Sequence, residues 1–274
     1  MRAFLIVMAA YIIHALFLFN YKQFQDILDL GPDFFLTKLI FSTVIISSSV
    51  LVFGLIKREL DPGRWPGNEG FHGFNGWRKV TLLLTLFLFT SLSSGHIGSL
   101  QHKYFGGSNI VGKTAAEYVE EYYPDMSEED KASTETLVNL QKFGRVALTA
   151  LSEEVFSRWL ILGTFLLLFR PLTAISLSAF LFGLSHVFSP LGIGEDLGTI
   201  LGVAVPAVVS GLFFGFVYWR CGLVWAIFFH FVANLFPYFK GSEWTKLIAL
   251  AMILSVPFTL FALSERLVKR IRHS

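Results

Sequence analysis

Charge and cysteine are what this 274-residue chain has least of. Its 22 Lys and Arg and 20 Asp and Glu make up only 15% of the residues, against about 25% in soluble domains, so a water-facing surface is short of polar groups. A formal net charge of +2 supplies no field for a polyanion, and no nucleic-acid partner is expected. The single cysteine, Cys221, excludes an intrachain disulfide framework and any cysteine-rich zinc or iron–sulfur site. Internal repeats and low-complexity tracts are also missing, which removes solenoid and linker architectures.

Apolar residues are what the chain has in excess. The mean hydropathy is +0.60 and there are 30 Phe. Hydrophobic windows fall at about 3–20, 34–56, 79–94, 143–169, 171–188, 198–219, 222–239 and 244–264, many near the roughly 20 residues that an α-helix needs to cross about 30 Å of hydrocarbon. The expectation is an all-α polytopic membrane protein of about eight transmembrane helices, a single integral membrane domain over 1–274. The first window resembles a signal peptide but has no small-x-small cleavage site after its apolar core, so it reads as an uncleaved span.

Two polar segments interrupt the windows: 57–78, rich in Gly and Trp, and 95–142. The second contains an acidic helix candidate with Glu117, Glu120 and Glu121, then Pro124 as a breaker. Ser127 with Asp130 three residues on resembles a capping box, and the helix it opens is expected to lead into the fourth span. Lys57, Arg58, Arg64, Arg78 and Lys79, with Arg266, Lys269, Arg270 and Arg272 in the tail, place those regions and both termini on the cytoplasmic side. The 95–142 loop then lies outside, although its own lysines (Lys103, Lys113, Lys131, Lys142) pull the other way. In a prokaryote the membrane would be the plasma membrane.

The carboxylates of the hydrophobic spans gather at Ser152-Glu153-Glu154-Val155-Phe156-Ser157-Arg158, with an arginine beside them. Two carboxylates and an arginine at membrane depth are expensive, which makes a role the default hypothesis. Glu154 and Arg158 are four apart in the favoured acid-first order and form a structural ion pair on one helix face. That leaves Glu153 unpaired, and an unpaired buried carboxylate is suited to general-base work. His186 closes Phe182-Gly183-Leu184-Ser185-His186, and His230 lies four residues before Asn234, on one helix face. A His and an Asn side by side offer two N–H donors to one point, as an oxyanion hole requires. His14, alone in the first span, reads as a satisfied polar group.

The order Glu-Glu-x-x-x-Arg, Phe-x-x-x-His, His-x-x-x-Asn, each on its own hydrophobic span between about 143 and 239, resembles the CPBP family of CAAX prenyl proteases and bacteriocin-processing enzymes, also called Abi proteins. The resemblance implies an eight-span intramembrane endopeptidase of the glutamic type with a polar intramembrane cavity. In such an enzyme Glu153 and His186 activate a water and His230 with Asn234 stabilises the oxyanion, while Glu154 and Arg158 support them. The implied partners are the lipid bilayer and a peptide or membrane-protein substrate, with no cofactor.

Two other classes use the same residues. A zinc-dependent membrane protease would take Glu153, His186 and His230 as ligands, but His-Glu-x-x-His is missing. A proton-coupled transporter would use the buried Glu and His as a relay, but no paired halves occur. An intramembrane aspartyl protease is excluded because Gly192-Ile193-Gly194-Glu195 carries Glu where Asp is needed.

Overall fold

The computed structural model describes residues 2–20, 34–57, 85 and 115–235, whose regular elements are all helices, with no strand among them. In chain order α1 is Arg2–Phe19, α2 Phe34–Lys57, α3 Ala115–Tyr122 and α4 Glu128–Glu154. A π-helical segment, Val155–Leu162, carries α4 on into α5 (Gly163–Leu168); α6 is Pro171–Gly192, α7 Leu197–Cys221 and α8 Leu223–Leu235. Four stretches are long and apolar enough to cross a membrane: Arg2–Phe19, Lys38–Ile56, Pro171–Gly192 and Leu197–Cys221. The expected eight is therefore not reached among the described residues. Window 79–94 apart from Thr85, window 244–264, residues 58–78 and 95–114, and the basic tail lie outside them.

The surface is inverted relative to a water-soluble bundle. On α1 the buried residues Ala3, Val7, Tyr11 and Ala15 recur every four positions, one stripe of a 3.6-residue helix. The opposite face presents Leu5, Ile12, Ile13 and Leu16, with Ile13 68% exposed. Leu172 and Val224 likewise stand 75% and 77% exposed. Hydrocarbon turned outward on this scale suits lipid, where water would penalise it by about 25 cal/mol per Å².

Inside, the helices are tied by a few polar contacts and by small residues. Tyr11 donates its hydroxyl to the Leu181 carbonyl at 2.8 Å, joining α1 to α6. Ser42 on α2 contacts the Leu148 carbonyl at 3.2 Å and the Ser152 hydroxyl at 3.3 Å on α4. Phe53 packs on Trp159 with ring centroids 4.4 Å apart, so residues 42 and 53 meet positions near 150 and 159 and the two helices run parallel. Among the described residues α6 and α7 form the most extensive helix pair. It depends on Gly183 and Gly211: a Cβ at Gly211 would stand 3.0 Å from the Ala179 Cα, and one at Gly183 would meet Val208 and the Ala204 carbonyl.

Local signals explain the helix ends. Ser127 caps α4 by accepting the Asp130 N–H at 3.2 Å, the N-cap half of a capping box, and its hydroxyl donates to the Asp130 carboxylate at 2.6 Å. α4 runs unbroken into the fourth apolar window, as expected, so the end of the 95–142 segment is helix rather than loop. Asp196 caps α7 through the Thr199 N–H and hydroxyl, and those two donors hold its carboxyl below its ordinary range. Gly222 separates α7 from α8 at φ 90, a conformation that favours glycine.

Candidate active site

Three helical segments converge on the glutamate pair, and the local winding decides where each side chain goes. α4 delivers Glu153 and Glu154 in its last turn, and the π-helical segment starts at the next residue. Single π turns inside α-helices recur at functional sites because they shift the register of the side chains that follow. Here the shift buries Arg158 completely and leaves the Ser157 carbonyl to accept the Ser178 hydroxyl of α6 at 3.1 Å.

The expected Glu154–Arg158 ion pair is present, with Arg158 Nε 3.3 Å from Glu154 Oε2 and both side chains 0% exposed. The guanidinium also lies over the Phe182 ring, 4.4 Å from its centroid, a cation–π contact in a dry setting. Glu154 has a second partner that spacing along one helix could not reveal. Its Oε1 is 2.8 Å from His230 Nδ1 on α8. The His230 ring stacks on Phe214, centroids 4.7 Å apart and 13° from parallel, which fixes its plane.

Glu153 stands apart from Arg158, and two imidazoles lie near it. Its Oε2 is 3.7 Å from His230 Nε2 and 4.0 Å from His186 Nε2. The two histidines come from α6 and α8, which folding brings to α4. His186 is oriented by its other nitrogen, Nδ1, 2.8 Å from the Phe182 carbonyl one turn back. A carbonyl can only accept, so Nδ1 carries the proton and neutral His186 turns a bare Nε2 toward Glu153. The Glu154 carboxylate imposes the same tautomer on neutral His230. The Glu153 Oε2 is buried and makes no hydrogen bond among the described residues.

Glu153, His186 and His230 are thus brought together. Asn234 lies one turn beyond His230 on α8, half-buried and with no hydrogen bond among the described residues. The site opens into a cavity of about 550 Å³ whose walls include Glu153, His186, Phe182 and Ser185. Three other lining residues were missed as site residues: Lys38, Arg145 and His14. Lys38 had a legible signal, a lone cation inside an otherwise apolar window. Arg145 was read only as a charge near a span end, and it stands on the face that carries Thr149 and Glu153. His14 packs on Phe156, ring centroids 4.2 Å apart, so the satisfied-polar reading describes only part of its setting.

No group of three or more His, Cys, Asp or Glu among the described residues is placed to hold a metal ion.

Residues 138–236 match the family model of type II CAAX prenyl endopeptidase Rce1-like proteins. This segment, a little over a third of the chain, is similar to that family. The match contains Glu153, Glu154, Arg158, His186, His230 and Asn234, the positions that carry the resemblance in the sequence. It supports a peptide hydrolase of membranes over the transporter alternative. No match was found among curated proteins or among solved structures.

Proposed function

We propose that this chain is a multi-pass intramembrane endopeptidase of the glutamic type, which hydrolyses a peptide bond with a water activated at Glu153. The observation that carries the proposal is the convergence of three polar atoms, Glu153 Oε2, His186 Nε2 and His230 Nε2, at separations of 3.7 and 4.0 Å from the carboxylate. These gaps are too long for direct hydrogen bonds and suit one bridging water. His186 Nε2 is bare in the neutral ring, so a water there donates one proton to Glu153 and the other to His186, while His230 enters the cycle as the imidazolium held by Glu154. That is the ground state of general-base hydrolysis.

In the proposed cycle Glu153 takes one proton of the water while His186 orients the second. The hydroxide adds to the scissile carbonyl, and the carbonyl oxygen becomes an oxyanion. His230, protonated on both nitrogens and balanced by the Glu154 carboxylate, donates from Nε2 to that oxyanion together with Asn234. Collapse breaks the C–N bond, and Glu153 returns its proton to the leaving amine. Glu154 holds His230, and Arg158 holds Glu154. The full chain would enclose this chemistry in eight spans within one membrane domain, the plasma membrane in a prokaryote, with no metal cofactor. Its substrate would be a prenylated C-terminal peptide or a membrane-protein segment.

The experiment is quantitative comparison of membrane proteomes from cells carrying wild type and Glu153→Ala. An uncleaved substrate accumulating in the variant, and cleaved by purified wild type, is the expected result. Equal proteomes together with proton flux by the purified protein in liposomes would replace the protease by a transporter.

A further inference from the structure

Proline destabilises a helix interior, and α6 carries one in the wall of the catalytic cavity. Pro190 lies within Pro171–Gly192, and with His186 and Ser189 it lines the cavity beside Glu153. A proline has no N–H, so the carbonyl four residues earlier loses its helical donor, and the ring crowds that carbonyl aside. For Pro190 this is the carbonyl of His186. A helical carbonyl points along the axis toward the residue four places on, so the His186 oxygen is directed along the face that it shares with Pro190, which is the cavity face. The His186 imidazole folds the other way, to the Phe182 carbonyl one turn back, and from there reaches toward Glu153. One residue thus presents a ring nitrogen toward the carboxylate and a main-chain acceptor to the space next to it.

Ser189 adds a donor. Serines and threonines inside helices commonly return their hydroxyls to a carbonyl three or four residues back. Ser185 does so to Phe182 at 2.7 Å, Thr149 to Arg145 at 2.8 Å and Thr164 to Leu160 at 2.7 Å. Ser189 makes no such bond among the described residues, although it lines the cavity. A carbonyl without its helical donor and a hydroxyl without a partner therefore stand three residues apart on one helix face, at a depth where unmet polar groups are destabilising. An acceptor beside a donor matches the edge of an extended peptide, which offers N–H and C=O on the same side.

We propose that the His186 carbonyl and the Ser189 hydroxyl form a main-chain recognition subsite, which takes an N–H and a C=O of an extended substrate peptide next to its scissile bond. The proposal rests on the protease reading for its role in cleavage, though not for the binding itself. Because the imidazole of the same residue reaches toward Glu153, the bound N–H belongs to a residue about one or two positions from the scissile bond, at about 3.3–3.6 Å per extended residue. The subsite reads no side chain. It selects for backbone: a peptide with an N–H at that position is held in register, and one with proline there is refused because it has no donor. A membrane helix commits its N–H groups within itself and offers none to the subsite, so the substrate class is a peptide already extended at the cleavage position, either a tail or an unwound segment.

The test uses the full chain in detergent with Glu153→Gln, so that nothing is turned over. The probe is a fluorescein-labelled S-farnesyl heptapeptide, in a series that replaces each backbone N–H in turn by an ester oxygen, read by fluorescence anisotropy. One member of the series is expected to bind about three- to tenfold more weakly than the all-amide peptide, the usual effect of one hydrogen bond. Pro190→Ala supplies the missing N–H to the His186 carbonyl. It should therefore lower affinity for the all-amide peptide by the same factor, erase the difference between amide and ester, and raise the Tm. Pro206→Ala makes the same change in α7, away from the cavity wall, and should leave the pattern of the series as it was. Ser189→Ala should weaken the whole series without moving the sensitive position. A flat series, an amide–ester difference that survives in Pro190→Ala, or no measurable binding of any member overturns the proposal. If Pro190→Ala does not fold, a flat series or full-strength binding by Ser189→Ala overturns it instead. A sensitive position in a chain whose Glu153 form cleaves none of the peptides keeps the subsite and sinks the protease. Cleavage by the Glu153 form with a flat series does the reverse.

Discussion

The Glu154 carboxylate lies between two partners, Arg158 Nε at 3.3 Å through one oxygen and His230 Nδ1 at 2.8 Å through the other. One completely buried side chain thus joins the helix of the glutamate pair to the helix of the His-x-x-x-Asn motif. Through His230 it also fixes what Glu153 sees, because a ring held at Nδ1 turns Nε2 to the neighbouring carboxylate. Adjacent glutamates accordingly do different work: Glu153 faces the cavity and Glu154 the interior.

This division makes the Glu154 site separable into fold and chemistry. Glu154→Gln leaves Arg158 as a buried charge without its counter-ion, a loss that costs about 3–5 kcal/mol. Glu154→Gln with Arg158→Met removes both charges and should recover most of that stability in detergent unfolding. Activity should stay depressed in the double variant, because His230 has lost the carboxylate that orients it. Wild-type turnover in the stable double variant would confine Glu154 to packing.

His230 and Asn234 are assigned to the transition state, and kinetics can separate that from binding. Asn234→Ala should lower kcat by about 10²–10³-fold, the usual effect of removing one oxyanion donor, with little change in KM. A raised KM with unchanged kcat would make Asn234 a substrate-binding residue.

Close approach of α6 and α7 is what brings Phe182 and His186 to the glutamates. A methyl at Gly183 would press on Val208 and stand 2.9 Å from the Ala204 backbone oxygen, whereas one at Gly202 meets nothing within 4 Å. Gly183→Ala should therefore destabilise the protein by about 1–3 kcal/mol through overpacking. Gly202→Ala, by contrast, should gain roughly 0.5–1 kcal/mol from helix propensity. Thermal unfolding of both in one detergent compares them directly, and equal Tm shifts would contradict the tight α6–α7 packing.

Metal dependence is checked by elemental analysis of active protein before and after chelation. The expectation is full activity without stoichiometric metal. About one zinc per chain, with activity lost on its removal and restored on its return, would make Glu153, His186 and His230 ligands.

Features set by neighbours in the chain were legible beforehand. The Ser127–Asp130 cap, the helix leading into the fourth window, and the Glu154–Arg158 pair all depend on spacing within one helix. The three motifs identified the segment that the family model then matched. Contacts between helices were legible only through the resemblance, which puts His186 with Glu153, and not through spacing. Nothing in the spacing of Glu153 predicts two imidazoles from α6 and α8, nor does that of Glu154 predict His230. The π winding after Glu154 was equally hidden, since Val155–Leu162 reads as ordinary apolar helix. Lys38 shows the same limit: its sequence neighbours are apolar, and its charged neighbours belong to α4.

The most direct test of the whole account is turnover by Glu153→Gln, reconstituted in proteoliposomes beside wild type and supplied with the substrate that accumulates in Glu153→Ala cells. Glutamine keeps the size of the side chain and removes the base. Glu153 makes no buried ion pair with Arg158, so the variant should keep the wild-type Tm while hydrolysis falls about 10²–10⁴-fold. Wild-type turnover by the folded Glu153→Gln protein would contradict the assignment of Glu153 as the base.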